Sequence, residues 1–416
     1  MELAIRTAMV RLGGGFLGAV LDLDPGYAGG SLDCGQGHRA RFVGYRTRTI
    51  DTVLGAVSLR RAYYHCRACR TGVAPRDAEL GLAGASLSPG LARIVARAGA
   101  GEPFAAARRD LAELAGLELT TKRIERAAEA AGTRVHAAAE AEAAAILAGS
   151  LRPLAPTGPV ETLYVTIDGT GVPTVPKETL GRRGKGPDGR ARTREAKLGC
   201  LFTGSGLDAR GRPVRDPGSS SYVSVIESAE RFGDLLYAEA VRRGVERAAR
   251  VAVIGDGARW IWGLASEHFP GAVGIVDLYH AREHLYELGR LVRPDDRAWL
   301  EARLGELDGG AIEALLAVVG EVAVPDAAAV RVAELTGYFA NNRERMRYGE
   351  FRAAGLFVGS GVVEAGCKTL VGGRLKGSGM RWTVKGAESI ISLRCAEASG
   401  RWEEVWLRLQ PQTCAA

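Results

Sequence analysis

The sequence predicts an α/β core, a mixed sheet flanked by helices, which carries a helical insertion and follows a ribbon and a helical module. Three observations predict this order. Two knuckles that contain cysteine come first, an alanine-rich stretch with helix-start signals comes next, and strands that end in acidic residues then alternate with helices. Period-2 alternation indicates the strands, and the capping signals indicate the helices.

Composition sets the broad class of the protein. The 416 residues suffice for two or three domains, and 46% hydrophobic with 25% charged residues is ordinary for a globular protein. The 55 Lys and Arg residues exceed the 48 Asp and Glu residues, which is compatible with a polyanionic partner. No uninterrupted apolar run approaches the roughly 18–20 residues of a membrane span, and no signal peptide is evident. The odd count of 7 dispersed cysteines favours a reduced, cytoplasmic protein without a membrane partner.

Two cysteine knuckles predict a structural zinc site. Cys34 and His38 stand four residues apart around two glycines, and Cys66 and Cys69 form a second pair on a two-residue spacer. The residues between the pairs alternate like a hairpin with a Leu-Gly turn. This is the arrangement of a zinc ribbon, in which four N and S ligands close a tetrahedral site. His65 is a rival to His38, and unmetallated knuckles or a redox pair are the alternatives.

Residues 88–148 are alanine-rich and predict three helices. Their start signals are Ser88-Pro89, Glu102-Pro103 and Thr120-Thr121. The third helix begins with Lys122 and Arg123, at the end where the recognition helix of a helix-turn-helix contacts the DNA major groove. The alternative is a plain helical bundle with a basic, solvated face.

The stretch 160–168 predicts a strand that ends on a carboxylate. Leu163, Val165 and Ile167 fall on one face at period 2, and the strand is expected to stop at Asp168 and enter a Gly/Pro turn. An acid at the carboxyl end of a strand lies at the rim of a sheet, where α/β folds bind ligands. The alternative is that Asp168 only caps the turn.

The elements after Asp168 predict a ribonuclease-H-like fold. Strands are expected near 163–168, 198–203, 222–227, 251–254 and 273–277, and helices near 229–244 and 259–269. This β-β-β-α-β-α-β order is that of the ribonuclease-H-like fold, whose active site gathers acids from the first strand, the end of the fourth and a late helix. Asp256 follows the fourth strand, and Glu364 lies in a helix that Ser360 would cap. Residues 280–350 between them predict a helical insertion.

Three carboxylates from separate elements predict a divalent-metal site. Asp168, Asp256 and Glu364 cannot all be ionised in a dry site without a cation. Two Mg²⁺ or Mn²⁺ ions per active site, held by these oxygens, would activate a nucleophile and stabilise a leaving oxygen. For each acid alone, the alternative is a cap or a surface charge.

Six strings carry a resemblance to a known family. They are IDGTGVP, TREAKLG, IGDGARWIW, VDLYHAREHL, GSGVVEAGCK and RLKGSGMRW. From Cys34 to about Arg394 the chain resembles bacterial insertion-sequence transposases of the Kra type, DDE enzymes related to Mutator-like transposases. The resemblance implies a ribonuclease-H-like core with a helical insertion, the triad Asp168, Asp256 and Glu364, and cut-and-join chemistry on the ends of the element.

The same resemblance singles out a further acid and histidine. Asp277 and His280 match the [Cys/Asp]-x2-His motif that follows the second acid in Mutator-like enzymes. Asp277 is therefore a rival to Asp256 for the second place in the triad, and His280 an accessory residue. The alternative for Asp277 is a strand end that caps a helix.

Two basic sets are candidates for contacts with DNA phosphates. The first is a glycine-rich loop with Arg182, Arg183, Lys185, Arg190, Arg192 and Arg194. The second follows the glutamate and comprises Arg374, Lys376, Arg381 and Trp382, whose ring would stack on an extruded base. The alternatives are a solvated hairpin tip for the first set and a buried core tryptophan for Trp382.

Together these observations predict a DNA transposase that cuts and joins strands. Its partners would be double-stranded DNA, as the terminal inverted repeats of the element and the target, with a homodimer or higher oligomer forming on DNA in the bacterial cytoplasm, associated with the nucleoid. The alternatives are a catalytically silent DNA-binding repressor and a nuclease that cuts without joining. The predicted segments are 1–80 (zinc ribbon), 81–150 (helix-turn-helix-like), 151–280 (first part of the core), 281–355 (helical insertion) and 356–416 (helix with the glutamate).

Overall fold

A computed structural model describes residues 1–154, 158–184, 188–226, 228–322 and 324–409. The chain divides into two compact units. Unit 1 comprises Met1–Val135 and Arg401–Ala416, and unit 2 comprises His136–Gly400. The finer division into five segments stays a prediction.

Unit 1 begins with a long helix, followed by a small sheet and a helical group. Its elements in chain order are α1 (Glu2–Asp22), β1 (Ser31–Asp33), β2 (Arg39–Thr52), β3 (Gly55–Cys66), β4 (Thr71–Val73), α2 (Pro75–Glu79), α3 (Pro89–Gly101), α4 (Phe104–Ala115) and α5 (Thr121–Leu147), which continues into unit 2.

The small sheet is an antiparallel ribbon in the order β1-β2-β3-β4. Its central pair is the predicted hairpin, in which Thr52 pairs with Gly55. The hairpin is therefore confirmed, but its turn lies one residue earlier than predicted, at Val53-Leu54. Gly55 is the first residue of β3 and has a φ of +89°, which favours glycine. Ile50, Leu59 and Leu82 form a buried cluster on one side of it.

Helices α3, α4 and α5 form the predicted helical module. The Ser88 hydroxyl accepts a hydrogen bond from the Leu91 N–H at 3.2 Å and caps α3. The Thr120 hydroxyl accepts one from the Arg123 N–H at 3.3 Å at the start of α5. Apolar residues from all three helices share one core, so the three helices and their start signals are confirmed.

Helix α1 is one that the sequence analysis overlooked, because Arg6 and Arg11 interrupt its apolar run. It lies on the β2–β3 hairpin through a glycine face, where a side chain at Gly14 would come within 2.8 Å of the Leu54 carbonyl oxygen. By length and composition it is the one helix among the described residues that is apolar enough to cross a membrane, with a mean hydropathy of 1.3.

Unit 2 is built around a larger sheet. Its elements are β5 (Val160–Pro173), β6 (Thr193–Gly204), β7 (Gly206–Leu207), β8 (Pro213–Val214), β9 (Ser221–Val225), α6 (Ala229–Arg242), β10 (Ala248–Gly255), α7 (Arg259–His268), β11 (Val273–Val276), α8 (Leu278–Val292), α9 (Arg297–Gly309), α10 (Ile312–Gly320), α11 (Ala329–Asn342), α12 (Tyr348–Ala353), α13 (Gly361–Gly366), α14 (Gly373–Leu375) and α15 (Val384–Ala398). A π-helical turn, Cys367–Gly372, joins α13 to α14, and α16 (Trp402–Leu409) returns to unit 1.

The sheet is mixed, in the order β11-β10-β5-β6-β9. Strands β5, β10 and β11 run parallel, whereas β6 is antiparallel to both β5 and β9. Each strand and helix predicted between 163 and 277 is present within a few residues of its expected bounds. The described residues between β11 and α13 form helices and no strand, so the helical character of 280–350 is also confirmed.

Helices cover both faces of this sheet. A side chain at Gly199 would collide with Leu236 of α6 at 2.4 Å, whereas one at Gly366 of α13 would come within 3.0 Å of Leu198 on the opposite face. Both faces of β5 are accordingly buried, including Tyr164 and Thr166. The α/β prediction with a mixed sheet flanked by helices is therefore confirmed.

One local expectation is wrong. Strand β5 does not stop at Asp168 but continues to Pro173, because residues beyond the acid stay paired with β6, with Asp168 opposite Leu198 and Pro173 opposite Thr193. Only its parallel pairing with β10 ends near the acid, at Thr166 opposite Ile254. Antiparallel pairing has overridden the Gly and Pro turn signals.

Candidate acidic site and metal centre

The parallel strands bring two acids to one rim of the large sheet. Asp168 lies two residues past the last pair of β5 with β10, and Asp256 directly follows β10. Strand β11 pairs in parallel with β10 and ends one residue before Asp277. Since the carboxyl ends of parallel strands meet at the same edge, all three acids lie there.

The negative charges of Asp256 and Glu364 both affect the pKa of Asp168. Burial, together with the negative charges of Asp256 and Glu364, raises the pKa of its carboxyl above the ordinary value. Two hydrogen bonds oppose the rise, one from the Cys367 thiol and one from the Gly169 N–H at 2.7 Å. The structure thus brings the predicted triad into one electrostatic neighbourhood.

Asp256 is held by its own turn and by a tyrosine from α11. Its carboxylate accepts the Ala258 N–H at 2.9 Å, and its carbonyl oxygen accepts the Tyr338 hydroxyl at 3.0 Å. Gly257 between them has a φ of +96°, and a side chain there would meet the Tyr338 ring at 2.5 Å. A glycine is therefore required at 257 on both grounds.

Glu364 reaches the site from α13 and is the most exposed of the three acids. Its side chain is 57% exposed and lies 3.6 Å from the Lys368 ammonium group. The expected hydroxyl cap by Ser360 is wrong: Ser360 is the N-cap residue, but its side chain makes no capping hydrogen bond. Its N–H instead donates to the Asp277 carboxylate.

Asp277 is buried, and both of its carboxylate oxygens accept hydrogen bonds from backbone N–H groups. One carboxylate oxygen accepts the His280 N–H at 2.8 Å and caps α8, and the other accepts the Ser360 N–H. These contacts match the capping interpretation rather than the role of a rival metal ligand. They also tie the end of β11 to the start of the helix that carries Glu364.

Three residues that the sequence analysis did not single out border the acids. They are Cys367, His284 and Tyr338. Burial, then the Asp168 charge, raises the pKa of the Cys367 thiol, so it remains a hydrogen-bond donor to that acid. His284 contacts the rings of both His280 and Tyr338, with centroids 4.9 and 4.3 Å away, and burial lowers its pKa. His280 and His284 are four residues apart in a helix, so the sequence could have predicted that they lie on the same face. No sequence pattern predicted that Tyr338 lies near the acids.

The described members of the first basic set lie on two segments that pair with each other, with Arg183 opposite Arg190. The Gly184 N–H donates to the Gly189 carbonyl at 2.9 Å, and Arg182, Arg183 and Arg190 are exposed. Of the other three residues in this set, two are engaged in contacts within the protein and one is not described by the structure. Arg192 pairs with Asp188 at 3.1 Å, Arg194 donates to the Glu178 carbonyl at 3.2 Å, and Lys185 lies outside the described residues.

Two residues of the second set are exposed at the surface, and the other two are buried. Lys376 and Arg381 are exposed, and the Lys376 ammonium group donates to the Thr170 hydroxyl on β5. Arg374 is 1% exposed with its guanidinium 5.0 Å from the Trp382 ring centroid, and Trp382 is 7% exposed with its indole N–H bonded to the Leu375 carbonyl. The burial of both side chains contradicts the DNA contacts predicted for Arg374 and Trp382.

Two residues at the start of α5, Lys122 and Arg123, were predicted to contact DNA, and they have different partners in the structure. Lys122 is exposed and forms an ion pair with Glu125 on its own helix, at 2.6 Å. Arg123 pairs with Asp51 of β2 and donates to the Ser86 carbonyl at 3.2 Å. Arg123 is therefore used to hold α5 to the ribbon.

The two knuckles of the ribbon form a metal-ligand cluster. The ligand atoms of Cys34, His38, Cys66 and Cys69 all lie within 4.8 Å of one another. The Cys34 and Cys69 sulfurs are 3.6 Å apart, close to the roughly 3.7 Å expected for two thiolates on one tetrahedral zinc. His38, not His65, belongs to the cluster, with Nδ1 3.2 Å from the Cys69 sulfur.

The backbone of the knuckles favours thiolates. The Cys69 N–H donates to the Cys66 sulfur at 3.4 Å. Although desolvation opposes it, N–H groups of Gln36 and His38 lower the pKa of the Cys34 thiol. Hydrogen bonds with Cys34 and Cys66 raise the pKa of Cys69 to about 12. This cluster could bind a metal such as zinc.

Within the described ranges, the knuckles are the one group of three or more ligands close enough to hold an ion; the three acids stand further apart. A scan against protein-family models finds no match to the chain, and a search of curated proteins finds no matching relative.

We expect His38→Ala to release one zinc ion per chain and His65→Ala to release none, because only His38 reaches the cluster. Cys66→Ser should release the ion as well and unfold the ribbon, since metal binding there is coupled to folding. Zinc content by atomic emission and near-ultraviolet circular dichroism measure both effects. Cys200→Ser, a buried cysteine of unit 2, is the control. Full zinc content in Cys66→Ser would refute a zinc centre.

We expect Asp277→Ala to lower the free energy of unfolding by about 1–2 kcal/mol, because it removes a helix cap and a buried acceptor. Glu364→Ala, which removes an exposed carboxylate, should change it by less than about 0.5 kcal/mol. Urea unfolding followed by circular dichroism compares the two. Equal and small losses would show that Asp277 is not a structural acceptor and would restore it as a rival ligand.

Proposed function

We propose that this chain is a DDE transposase with a ribonuclease-H-like core, which cuts DNA at the ends of its mobile element and joins the freed 3′ ends to target DNA. The observation that carries the proposal is the meeting of Asp168, Asp256 and Glu364 at one rim. Each comes from a different element: Asp168 lies in β5 just beyond its pairing with β10, Asp256 follows β10, and Glu364 lies in α13.

The sheet supports the ribonuclease-H-like assignment. In that fold, three antiparallel strands are followed by two strands parallel to the first, and the fourth lies beside the first. Strands β5, β6 and β9 followed by β10 and β11 have this order and these directions. The helices between β11 and α13 then occupy the place of an insertion between the second acid and the glutamate.

The donor set fits hard divalent cations. Asp168, Asp256 and Glu364 offer carboxylate oxygens, which Mg²⁺ and Mn²⁺ prefer. Burial first, and then the negative charges of Asp256 and Glu364, raises the pKa of Asp168, so a bound cation would favour its ionised form. When bound, such ions activate a nucleophilic oxygen and stabilise the leaving oxygen of a phosphodiester.

The neighbouring side chains orient the acids. The Cys367 thiol and the Gly169 N–H fix Asp168, and the Tyr338 hydroxyl fixes the backbone of Asp256. Glu364 remains exposed, and its pair with Lys368 is a surface ion pair of small value. Its carboxylate can therefore turn toward the other two acids without breaking a strong interaction.

Exposed cations near the acids suit a DNA backbone. Lys376 contacts β5 two residues beyond Asp168, and the backbone of Trp382, next to Arg381, pairs with the end of the same strand. Arg182, Arg183 and Arg190 extend from the loop between β5 and β6. Such cations bind phosphates without reading sequence. The zinc ribbon and α3–α5, with Lys122 exposed, would recognise the ends of the element.

We expect Asp168→Asn, Asp256→Asn and Glu364→Gln each to reduce strand cleavage by roughly 10²-fold or more, because each removes a charged ligand at nearly constant volume. The assay uses labelled duplexes that cover the DNA flanking the gene, with Mn²⁺ or Mg²⁺. Asp295→Asn, an exposed carboxylate of unit 2, is the matched control. Normal cleavage by Asp256→Asn together with loss in Asp277→Asn would move the role to Asp277.

The same reactions distinguish the alternatives. Products in which the labelled 3′ end is joined to target DNA identify a transposase, and cleavage without joining identifies a nuclease. Metal-dependent binding without cleavage would leave a silent DNA-binding protein and overturn the proposal.

We expect Asp168→Asn to raise the melting temperature of the metal-free protein by roughly 1–3 °C at pH 7. The folded-state pKa of Asp168 lies above its unfolded value, so the ionised carboxylate costs stability at neutral pH, and that cost disappears as pH falls through the folded pKa. Mn²⁺ should raise the melting temperature of the wild type but not of the variant. A destabilised variant that still responds to Mn²⁺ would contradict this role.

A further inference from the structure

Helix α1 carries an apolar seam on the face turned away from the ribbon. The seam residues are Ile5, Met9, Leu12, Phe16 and Ala19, together with Leu23 at the C-cap of the helix, and all are exposed. Leu12 is 68% and Phe16 is 73% exposed, although large apolar side chains at successive helical turns are normally buried. The face opposite the seam contacts β3, and Leu21 there joins the cluster around Leu59. One side of the helix is thus half-buried against the ribbon, and the other side is exposed.

The spacing of the seam is that of a helix that pairs with another helix. Successive seam residues are separated by four, three, four, three and four positions, which is the a and d pattern of a heptad repeat. This alternation reads the same in both directions along the helix. The seam is therefore self-complementary, as the contact of a two-fold symmetric dimer requires.

We propose that α1 is a homodimerisation element, which pairs antiparallel with α1 of a second copy of this chain. In this register Leu12 faces Phe16 of the partner copy, and Met9 faces its Ala19, so large side chains meet smaller ones. A parallel pair would set Phe16 against Phe16 and Ala19 against Ala19, which leaves a void beside an overfilled layer.

The centre of the antiparallel contact has room for close approach. A side chain at Gly15, beside the middle of the seam, would meet no atom within 4 Å. The helices would meet over roughly 27 Å, and six exposed side chains from each copy bring on the order of 1,000 Å² of apolar surface, about what a specific interface needs. Packing on the ribbon holds α1 folded before it pairs, which lowers the ordering cost.

A membrane is the less suitable partner. A span needs apolar side chains on all sides of the helix, but Gly14 packs against the Leu54 carbonyl and the ribbon covers that face. Insertion would require α1 to leave the ribbon. The inference concerns unit 1 alone and holds whether or not the acids of unit 2 cut DNA.

Analytical ultracentrifugation of the full chain without DNA tests the proposal. The wild type should be a dimer, and Leu12→Glu or Phe16→Glu should raise the dimer dissociation constant at least about tenfold, because a charge would enter the apolar contact. Leu3→Glu, on the opposite face of the same helix, is the control and should leave it unchanged. Retained zinc and an unchanged far-ultraviolet spectrum show that each variant is folded. A monomeric wild type, or a dimer indifferent to both seam variants, would overturn the proposal.

Cysteine cross-linking on non-reducing gels tests the direction of pairing. Gly15→Cys should form a linked dimer above the wild-type background, because the two residues 15 flank the symmetry axis. Ile5→Cys should not, because antiparallel pairing separates the two copies by roughly 27 Å. The reverse pattern would refute the antiparallel register. Flotation with phosphatidylcholine and phosphatidylglycerol vesicles covers the membrane outcome, and vesicle binding by a monomeric wild type would contradict the dimer.

Discussion

The parallel pairing of β5 with β10 is the interaction on which the acidic site depends. Thr166 opposite Ile254 is the last pair of this register, and it sets Asp168 and Asp256 side by side just beyond the paired residues. A slip by one residue would turn Asp168 to the other face of the sheet. The register is fixed because β5 is buried on both faces, so any slip would misplace Leu163, Val165 and Ile167.

Glu364 is placed by contacts rather than by strand pairing. Asp277 holds the Ser360 N–H before α13, Gly366 lets that helix lie close to β6, and the π-helical turn after it turns Cys367 toward Asp168. A π-helical turn is costly and is frequent at functional sites. The third acid thus depends on helix packing for its position, and its side chain is the most exposed of the three.

Many features of the fold and of the two sites could be predicted from the sequence, and the predictions that failed did so for physical reasons. Period-2 patterns predicted the strands. The spacing of the two knuckles, one with Cys34 and the other with Cys66, predicted the ribbon. The end of β5 was misjudged because pairing with β6 overrides the turn signals after Asp168. The burial of Arg374 beside the Trp382 ring and the ion pair of Arg123 with Asp51 could not be predicted, since both depend on tertiary packing. Helix α1 was missed because Arg6 and Arg11 interrupt its apolar run and because its three consecutive glycines lower the helix propensity; two of them, Gly13 and Gly14, face Leu54 of the ribbon.

The central claim is that Asp168, Asp256 and Glu364 jointly hold divalent metal at the rim of the sheet, where a DNA strand is cut. Anomalous diffraction from crystals of the protein with duplex DNA and Mn²⁺ measures this directly. The account predicts anomalous peaks within about 2.0–2.3 Å of oxygens of Asp168 and Asp256, with Glu364 turned inward to the same ions and a DNA phosphate alongside. Density for Mn²⁺ elsewhere in the chain, with these three carboxylates unliganded and no phosphate near them, would contradict it.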